Sequence, residues 1–443
     1  MSAGNSILYL MCAIYEQRPY NLSRKIHQFP VLLYITRWLL LASAFGVMIG
    51  SASSLLLWSL DMVTNLREQS RILILFLPLA GLFIGWLYHR YGKDVVAGNN
   101  LLLSEYDRPK KIIPFRMAPL VLLGTAITHL FGGSAGREGT AVQMGGAISD
   151  QFTHYFGLES ADRRILIVIG IAAGFASVFG TPMAGAIFGL EVLVMRKAFY
   201  PAVFPAVLSA FIANQTTYWW GVGHAHYRID ILPDLDILNL LWAGVADVLF
   251  GLTAMLFSRS THFFAELFRR KISYPPLRPM LGGAVIALAV LSTGTTKYIG
   301  LGIPTIESAF FIELNTYDFL IKLLFTAFTL GAGFKGGEVT PLFFIGATLG
   351  NALVWFIPLP MALLAGLGFV AVFSGASNTP IASTIMGIEL FGVESWPYLA
   401  ICCLVAYLMS GRFGIYRSQR FGGLKKVCYD LLRRSTITTR MVE

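Results

Sequence analysis

Charged side chains are scarce in this chain. Asp, Glu, Lys and Arg make up only 13% of its 443 residues, and 56% are hydrophobic. A soluble globular protein carries about a quarter charged residues. The low charge, with a mean hydropathy of +0.66, excludes that class and predicts a polytopic membrane protein. Apolar stretches of spanning length recur at roughly residues 32–60, 71–89, 117–131, 164–180, 239–257, 279–292, 318–332, 341–373 and 396–410.

Cysteine is also scarce. The four cysteines, Cys12, Cys402, Cys403 and Cys428, show no paired spacing of the kind that marks a disulfide framework or a zinc site. The seven histidines are scattered. We therefore expect no metal and no cofactor. The apolar start of the chain has no basic region before it, so a cleaved signal peptide is not predicted.

The net charge of +10 comes from cations in short polar flanks. This pattern fits the positive-inside rule and predicts a plasma-membrane protein with both termini in the cytoplasm. No basic module folds outside the membrane, so we expect no nucleic-acid partner. The flanking cations are Arg18, Arg24 and Lys25 before the first span, and Arg412, Arg417, Arg420, Lys425, Lys426, Arg433 and Arg434 after the last.

Two pairs of matching segments indicate an internal duplication. GREGTAVQMGGA from Gly136 matches GGEVTPLFFIGA from Gly336, with an offset of 200 (338 − 138) between Glu138 and Glu338. TPMAGAIFGLE from Thr181 matches TPIASTIMGIE from Thr379, with an offset of 198 (379 − 181). We predict one transmembrane transporter domain over 1–443, with repeat one at about 31–220, a linker at about 221–237, repeat two at about 238–410 and a cytoplasmic tail at 411–443.

Glycine and proline interrupt many of the apolar segments. Broken backbone is tolerated in lipid only where it is buried in protein or lines a polar cavity. We therefore predict half-helices whose ends meet near the middle of the membrane. Glycine also serves close helix packing, and for Gly185 and Gly189 we favour that role.

The Gly-x-Glu-x-Thr segments predict an ion site. A helix N-terminus offers unpaired N–H groups and the positive end of the helix dipole, so several such ends aimed at one point bind an anion. The candidate ends are Gly98 to Asn100, Gly136 to Thr140 and Gly336 to Thr340. Asn99, Thr140 and Thr340 add side-chain donors, and Arg137 and Lys335 raise the local potential.

Glutamates at an anion site need a function, because a charge at the bilayer centre costs at least ~3 kcal/mol. Glu138 can fill the anion's place when ionised and leave it when protonated, which links anion movement to protons. Alternatively, Glu138 caps its own helix or pairs with Arg137, and Glu338 pairs with Lys335. Glu191 and Glu389 end their segments and are expected at the membrane interface.

At these residues the chain resembles the CLC family of anion channels and proton-coupled antiporters, over essentially its whole length. GREGT at Gly136–Thr140 is similar to that family's gating-glutamate motif. The resemblance implies an all-α, homodimeric protein whose subunits are inverted repeats of tilted, broken helices. It also implies that Glu138 is the gate, that Asn99 stands where the family's anion-binding Ser usually stands, and that Tyr416 closes the inner side.

Departures from the family pattern point to one branch. Gly337-Glu338-Val339-Thr340-Pro341 replaces Gly-x-Phe-x-Pro, and Val192 stands where chloride antiporters carry an internal proton-transfer Glu. These features resemble the fluoride/proton antiporter branch, which implies that Glu338 works with Glu138 in proton coupling. The fluoride assignment rests on this resemblance. The implied anion-binding residues are Asn99, Gly136, Arg137, Gly139, Thr140, Val339, Thr340 and Tyr416.

Other interpretations stay open at this point. A chloride/proton antiporter or a passive anion channel of the same fold is the nearer one. Asn99 could be a turn or cap residue, and Tyr416 could be an interfacial tyrosine. Gly132–Gly136 also matches the G-x-S-x-G pattern of serine hydrolases, with His129 as the nearby base of Ser134, but this segment lacks the strand–turn–helix context that such a nucleophile needs.

Overall fold

The computed structural model describes residues 29–155, 157–193, 200–225, 227–412, 414–419, 422 and 425–427. Several predicted features lie outside these residues: most of the tail 411–443, two of the cysteines and six of the flanking cations. They are Cys12, Cys428, Arg18, Arg24, Lys25, Arg420, Arg433 and Arg434.

Within the described residues the chain is built from helices, and no named strand occurs. Three short 3-10 helices, Arg71–Phe76, Tyr200–Ala202 and Val393–Ser395, link longer ones. The α-helices are α1 (Phe29–Gln69), α2 (Leu77–Tyr91), α3 (Asn99–Asp107), α4 (Met117–Leu130), α5 (Glu138–Tyr155), α6 (Ser160–Phe179), α7 (Pro182–Glu191), α8 (Val203–Trp219), α9 (Ile237–Lys271), α10 (Leu277–Thr293), α11 (Ile303–Ser308), α12 (Asp318–Ala332), α13 (Val339–Leu353), α14 (Met361–Ser377), α15 (Pro380–Phe391) and α16 (Trp396–Met409).

Helices α4 to α7 and α12 to α15 follow the same order, and the chain turns between corresponding helices by the same local means. The residue directly after α6 is Gly180 (φ 76°), and the residue directly after α14 is Asn378 (φ 56°). Both have the left-handed backbone conformation that commonly terminates a helix. Each is followed by Thr-Pro, with Pro182 and Pro380 in the first turn of the next helix. Proline suits that position because its missing N–H would have no helical partner.

Most of these helices are too short to cross a bilayer alone. Among the described residues, only Val31–Gln69, Arg71–Tyr91 and Ile237–Lys271 are long and apolar enough to do so. The sequence stretch 341–373 is not one span: it divides into α13 and α14 around Pro358 and Pro360, which interrupt helical hydrogen bonding. The prediction of broken helices is confirmed.

Paired glycines let helices of the same repeat pack closely. A Cβ on Gly145 of α5 would lie 2.1 Å from the carbonyl oxygen of Gly170 on α6. A Cβ on Gly346 of α13 would lie 2.0 Å from the carbonyl oxygen of Gly368 on α14. At both pairs the backbones of the two helices are therefore in contact, which constrains how α5 packs on α6 and how α13 packs on α14.

Gly185 and Gly189 have the packing role that the sequence favoured. A Cβ on Gly185 would lie 2.7 Å from the Cβ of Ala176, and one on Gly189 would lie 3.0 Å from the Cβ of Ala172. Both contacts join α7 to α6, so these two glycines bring the short helix α7 against its longer neighbour.

We expect Gly346→Ala to destabilise the protein, because its methyl group must displace backbone of α14. Overpacking of this kind costs about 1–3 kcal/mol. Gly244→Ala is the matched control: it is also helical, but a Cβ there meets nothing within 4 Å, so we expect a gain of about 0.5–1 kcal/mol. Thermal unfolding in detergent measures both, and equal unfolding midpoints would contradict the packing argument.

Candidate functional site

The two Glu-bearing motifs meet at a pair of backbone hydrogen bonds. Gly136 N–H donates to the Gly337 carbonyl at 2.7 Å, and Gly337 N–H donates to the Gly136 carbonyl at 2.6 Å. A Cβ on Gly337 would lie 2.8 Å from the backbone nitrogen of Gly139, so only glycine fits there. The starts of α5 and α13 are thus fixed against each other.

The carboxylate of Glu138 lies between these helix starts and is 1% exposed. Thr340 N–H donates to Oε2 at 3.0 Å, and the Thr340 hydroxyl lies 2.6 and 2.7 Å from the two carboxylate oxygens. Arg137 N–H donates to Oε2 at 3.2 Å. We call these three donors, Arg137 N, Thr340 N and Thr340 Oγ1, the Glu138 seat.

The Glu138 seat has the chemistry of an anion site. Thr340 is the second residue of α13, so its N–H is one of the helix donors that have no intrahelical acceptor. The positive end of the α13 dipole favours negative charge at the same point. The first repeat thus supplies a carboxylate, and the second repeat supplies most of the donors that hold it.

Arg137 adds positive charge beside the seat. Its Nε lies 3.7 Å from Oε1 of Glu138, as an ion pair without a hydrogen bond. Capping of its own helix and pairing with Arg137 therefore account for only some of the contacts of Glu138. The shorter contacts are those with Thr340 across the repeats.

Glu338 has different surroundings. It occupies the N-cap position of α13 and its side chain caps no N–H there. Among the described residues it has no ion pair, and the ammonium group of Lys335 instead lies over the Tyr88 ring, 4.1 Å from its centroid. The alternative pairing of Glu338 with Lys335 is therefore wrong, because the aromatic face of α2 is the nearer partner.

The hydroxyl of Thr140 lies outside the seat. It is 2.8 Å from the Thr125 hydroxyl on α4 and is fully buried. Gly139 and Val339 contribute backbone beside the seat: a Cβ on Gly139 would lie 3.1 Å from Nδ2 of Asn99, and Val339 opens α13. The structure thus brings Asn99 close to the start of α5.

Asn99 begins α3, and its Oδ1 is buried with no hydrogen-bond partner within the described ranges. Its neighbour Asn100 accepts a hydrogen bond from the Ser418 N–H at 2.9 Å. This contact ties α3 to the segment that carries Tyr416. Tyr416 is 6% exposed and interacts electrostatically with both Glu338 and Glu138, so it lies in the same part of the molecule as the two glutamates.

Val192 is buried at the end of α7. Its carbonyl accepts a 3.4 Å hydrogen bond from the Gln419 amide, which also donates to Ser377 O at 2.9 Å. The position that carries a glutamate in chloride antiporters therefore offers only a backbone oxygen here.

Glu191 and Glu389 cap each other's helices. The Glu191 carboxylate accepts from Ile381 N and Ala382 N of α15 at 3.0 and 2.8 Å. The Glu389 carboxylate accepts from Met183 N and Ala184 N of α7 at the same two distances. Carboxylates at helix N-termini are stabilising, so these four bonds join the repeats at a second place.

The hydrolase pattern has no catalytic geometry. The Ser134 hydroxyl is 2.8 Å from that of Thr326, and neither ring nitrogen of buried His129 has a hydrogen-bond partner in the part of the chain that the structure describes. A nucleophile must be within hydrogen-bond reach of its base. Among the described residues, no group of three or more His, Cys, Asp or Glu could hold a metal ion.

Comparison with known proteins agrees with this geometry. The family model described as voltage gated chloride channel matches residues 80–411. The chain belongs to the CLC family. A relative from Pseudomonas syringae pv. tomato, named chloride/fluoride channel protein, is 52% identical over 408 residues, which cover 91% of this chain and 90% of that protein. CLC proteins are membrane transporters and channels.

Solved structures give the same fold. The crystal structure of a CLC-type fluoride/proton antiporter matches with a TM-score of 0.85 and 37% identity, covering 87% of this chain and 98% of that chain. A slow cyanobacterial Cl⁻/H⁺ antiporter matches with a TM-score of 0.71 and 22% identity, covering 86% of this chain and 96% of that chain. The predicted CLC fold, an inverted repeat of tilted, broken helices, is confirmed.

Two residues near the site were not predicted from the sequence: Thr125 bonds Thr140, and Gln419 reaches Val192. Asn100 belongs to a predicted helix end, but its bond with Ser418 was not predicted. Glu191 and Glu389 did carry a signal, because they coincide when the two repeats are aligned. That alignment could not reveal that each one binds the other's helix.

We expect Glu191→Ala to lower the free energy of unfolding by about 1 kcal/mol, because two N–H groups at the start of α15 lose their capping carboxylate. Glu394→Ala is the control. Glu394 is exposed and its substitution is expected to change stability by less than about 0.5 kcal/mol. Thermal unfolding of both variants in detergent is the measurement, and an unchanged midpoint for Glu191→Ala would rule out a stabilising cap.

Proposed function

We propose that this CLC protein exchanges fluoride for protons and exports fluoride across the plasma membrane, with Glu138 as its gate. The observation that carries the proposal is the buried Glu138 carboxylate, held by a backbone N–H and a hydroxyl of the other repeat. A carboxylate in such a place occupies the position of a transported anion. Glu138 and the anion therefore compete for the same donors.

The donors of the Glu138 seat suit fluoride. Fluoride is small and strongly hydrated, so leaving water requires hard donors such as hydroxyl and backbone N–H groups. It is similar in size to a carboxylate oxygen, and the seat holds carboxylate oxygens at 2.6–3.2 Å. The larger chloride ion would need longer contacts than these.

Protonation provides the coupling. An ionised Glu138 accepts strong, charge-assisted hydrogen bonds from the seat, whereas a neutral carboxylic acid accepts weaker ones. The protonated side chain then leaves the seat to an anion, and returns after releasing its proton. In this scheme Glu338, which has no competing ion pair among the described residues, is the second proton carrier, and Tyr416 closes the cytoplasmic side.

The relatives support the choice of anion. One is named chloride/fluoride channel protein, and one solved structure with 37% identity is that of a fluoride/proton antiporter. We assign anion contacts to Asn99, Gly136, Arg137, Gly139, Val339, Thr340 and Tyr416, but not to Thr140, whose hydroxyl bonds Thr125. We also propose a homodimer with both termini in the cytoplasm, and the domain limits predicted from the repeats.

The decisive experiment compares fluoride and chloride in reconstituted vesicles. We expect fluoride efflux to be much faster than chloride efflux and to drive proton movement in the opposite direction. Chloride flux equal to or above fluoride flux would identify a chloride antiporter of the same fold. Anion flux without proton movement in the wild type would identify a passive channel.

Glu138→Gln tests the gate in the same vesicles. Glutamine keeps the size of the side chain but carries no transferable proton, so we expect fluoride-driven proton movement to stop. Glu313→Gln is the control. Glu313 is exposed and is not part of the seat, so this substitution removes the same charge outside the site. Full coupling in Glu138→Gln would refute the gate assignment.

Two threonines give a matched pair of variants. Thr340→Val removes a hydroxyl from the seat, and hydrogen bonds to charged groups contribute ~1.5–3 kcal/mol, so we expect the KM for fluoride to rise roughly tenfold or more. Thr140→Val removes a hydroxyl that bonds Thr125. It should cost about 1 kcal/mol of stability and leave the KM near that of the wild type. Equal KM values for the two variants would contradict the seat.

A further inference from the structure

A surface cavity of about 860 Å³ lies between the later part of α9 and the end of α16, away from the Glu138 seat. Its lining combines apolar side chains with three arginines, Arg259, Arg270 and Arg412, and one glutamate, Glu266. The carboxylate of Glu266 is already shared by Arg269 and Arg270, at 2.5 and 2.6 Å. The cavity therefore has an excess of positive charge.

Arg259 contributes a positive charge that is not balanced by any acidic group of the described residues. Its side chain is exposed, and it takes part in no ion pair within the described ranges. An exposed guanidinium presents several N–H donors in a fixed planar arrangement that matches the oxygens of a phosphate group.

The position of Arg259 along α9 places it at a membrane surface. It lies 22 residues after Ile237 (259 − 237), a rise of about 33 Å along the helix. The hydrocarbon core of a bilayer is ~30 Å thick. A helix that enters the membrane near Ile237 therefore leaves it close to Arg259. The cations Arg269, Arg270 and Lys271 follow at the same end, which the positive-inside rule assigns to the cytoplasm.

The apolar walls of the cavity fit acyl chains. Phe263 is 61% exposed, Met409 45% and Leu252 43%, and all three lie on helices with the composition of membrane segments. A soluble phosphate compound would leave these walls in water, whereas a phospholipid covers them. We propose that the cavity binds an anionic phospholipid of the cytoplasmic leaflet, with its phosphate at Arg259, its acyl chains against Leu252 and Met409, and Phe263 beside the headgroup.

One lining residue connects this cavity to the segment that carries Tyr416. His262 bonds the Gly414 carbonyl through Nε2 at 3.0 Å, and its Nδ1 accepts from Nε of Arg417 at 3.1 Å. Arg417 also donates to the His262 carbonyl at 3.3 Å. Tyr416 lies between these two attachment points, so a lipid packed against His262 supports the backbone that positions Tyr416.

The test measures lipid binding to the full-length protein in a neutral detergent by native mass spectrometry. Phosphatidylglycerol is the anionic probe, and phosphatidylcholine with the same acyl chains is the zwitterionic comparison. A basic residue near a membrane surface contributes ~1 kcal/mol to attraction of anionic lipid. We therefore expect Arg259→Gln to lower the affinity for phosphatidylglycerol roughly fivefold and to lower that for phosphatidylcholine by a smaller factor, because the choline cation offsets the charge of its phosphate.

Two further variants serve as controls. Arg259→Lys keeps the charge and should retain most of the affinity. Arg108→Gln removes an exposed arginine that does not line the cavity and should bind as the wild type does. Equal affinities of the wild type for the two lipids, or an unchanged phosphatidylglycerol affinity in Arg259→Gln, would overturn the proposal.

Inorganic phosphate forms a third arm of the experiment. If it displaces phosphatidylglycerol at comparable concentration, the cavity recognises a soluble phosphate and the lipid assignment is wrong. If it does not, the acyl chains contribute to binding, as proposed. This measurement requires no transport, so its failure is distinguishable from failure of the fluoride/proton exchange.

Discussion

The two hydrogen bonds between Gly136 and Gly337 are the contact on which the site depends. They bring the N-terminal ends of α5 and α13 together, and both ends carry the positive pole of a helix dipole. Like poles in a region of low dielectric constant repel unless a negative group lies between them. Glu138 supplies that charge, so the geometry that holds the repeats together also creates the need for an anion or a carboxylate.

Duplication supplies two similar motifs, but the structure has one occupied seat. Glu138 is bound by Thr340 of the other repeat, whereas Glu338 has no such partner among the described residues, and the hydroxyl of Thr140 is engaged by Thr125. In the exchange proposed above, this asymmetry gives the two carboxyl groups different tasks. Glu138 would compete directly with an anion for hydrogen-bond donors, and Glu338 would stay available for proton exchange. A perfectly symmetric pair would hold both carboxylates equally and would have no free carrier.

The sequence predicted the parts of the site that local chemistry determines. One helix begins at Glu138, two residues after Gly136, and another begins directly after Glu338, which follows Gly336 and Gly337; the repeated Thr-Pro begins α7 and α15. The sequence could not predict which side chains of different helices contact each other. An example is the alternative in which Lys335 pairs with Glu338, three positions further along the chain: the ammonium lies over the ring of Tyr88 on another helix. Such contacts depend on how helices distant in sequence pack together.

The side of the site that carries Tyr416 is built differently from the Glu138 seat. There Asn100 accepts from Ser418 N–H and the Gln419 amide bonds the carbonyls of Ser377 and Val192, while Arg417 bonds His262. Conduction requires binding strong enough to admit an ion and weak enough to release it. In the proposed exchange, a carboxylate at position 192 would repel a passing anion, whereas valine leaves backbone dipoles. The hydrogen-bond donors around Glu138 would then favour capture of the anion, and the neutral contacts of Asn100 and Gln419 would favour its release.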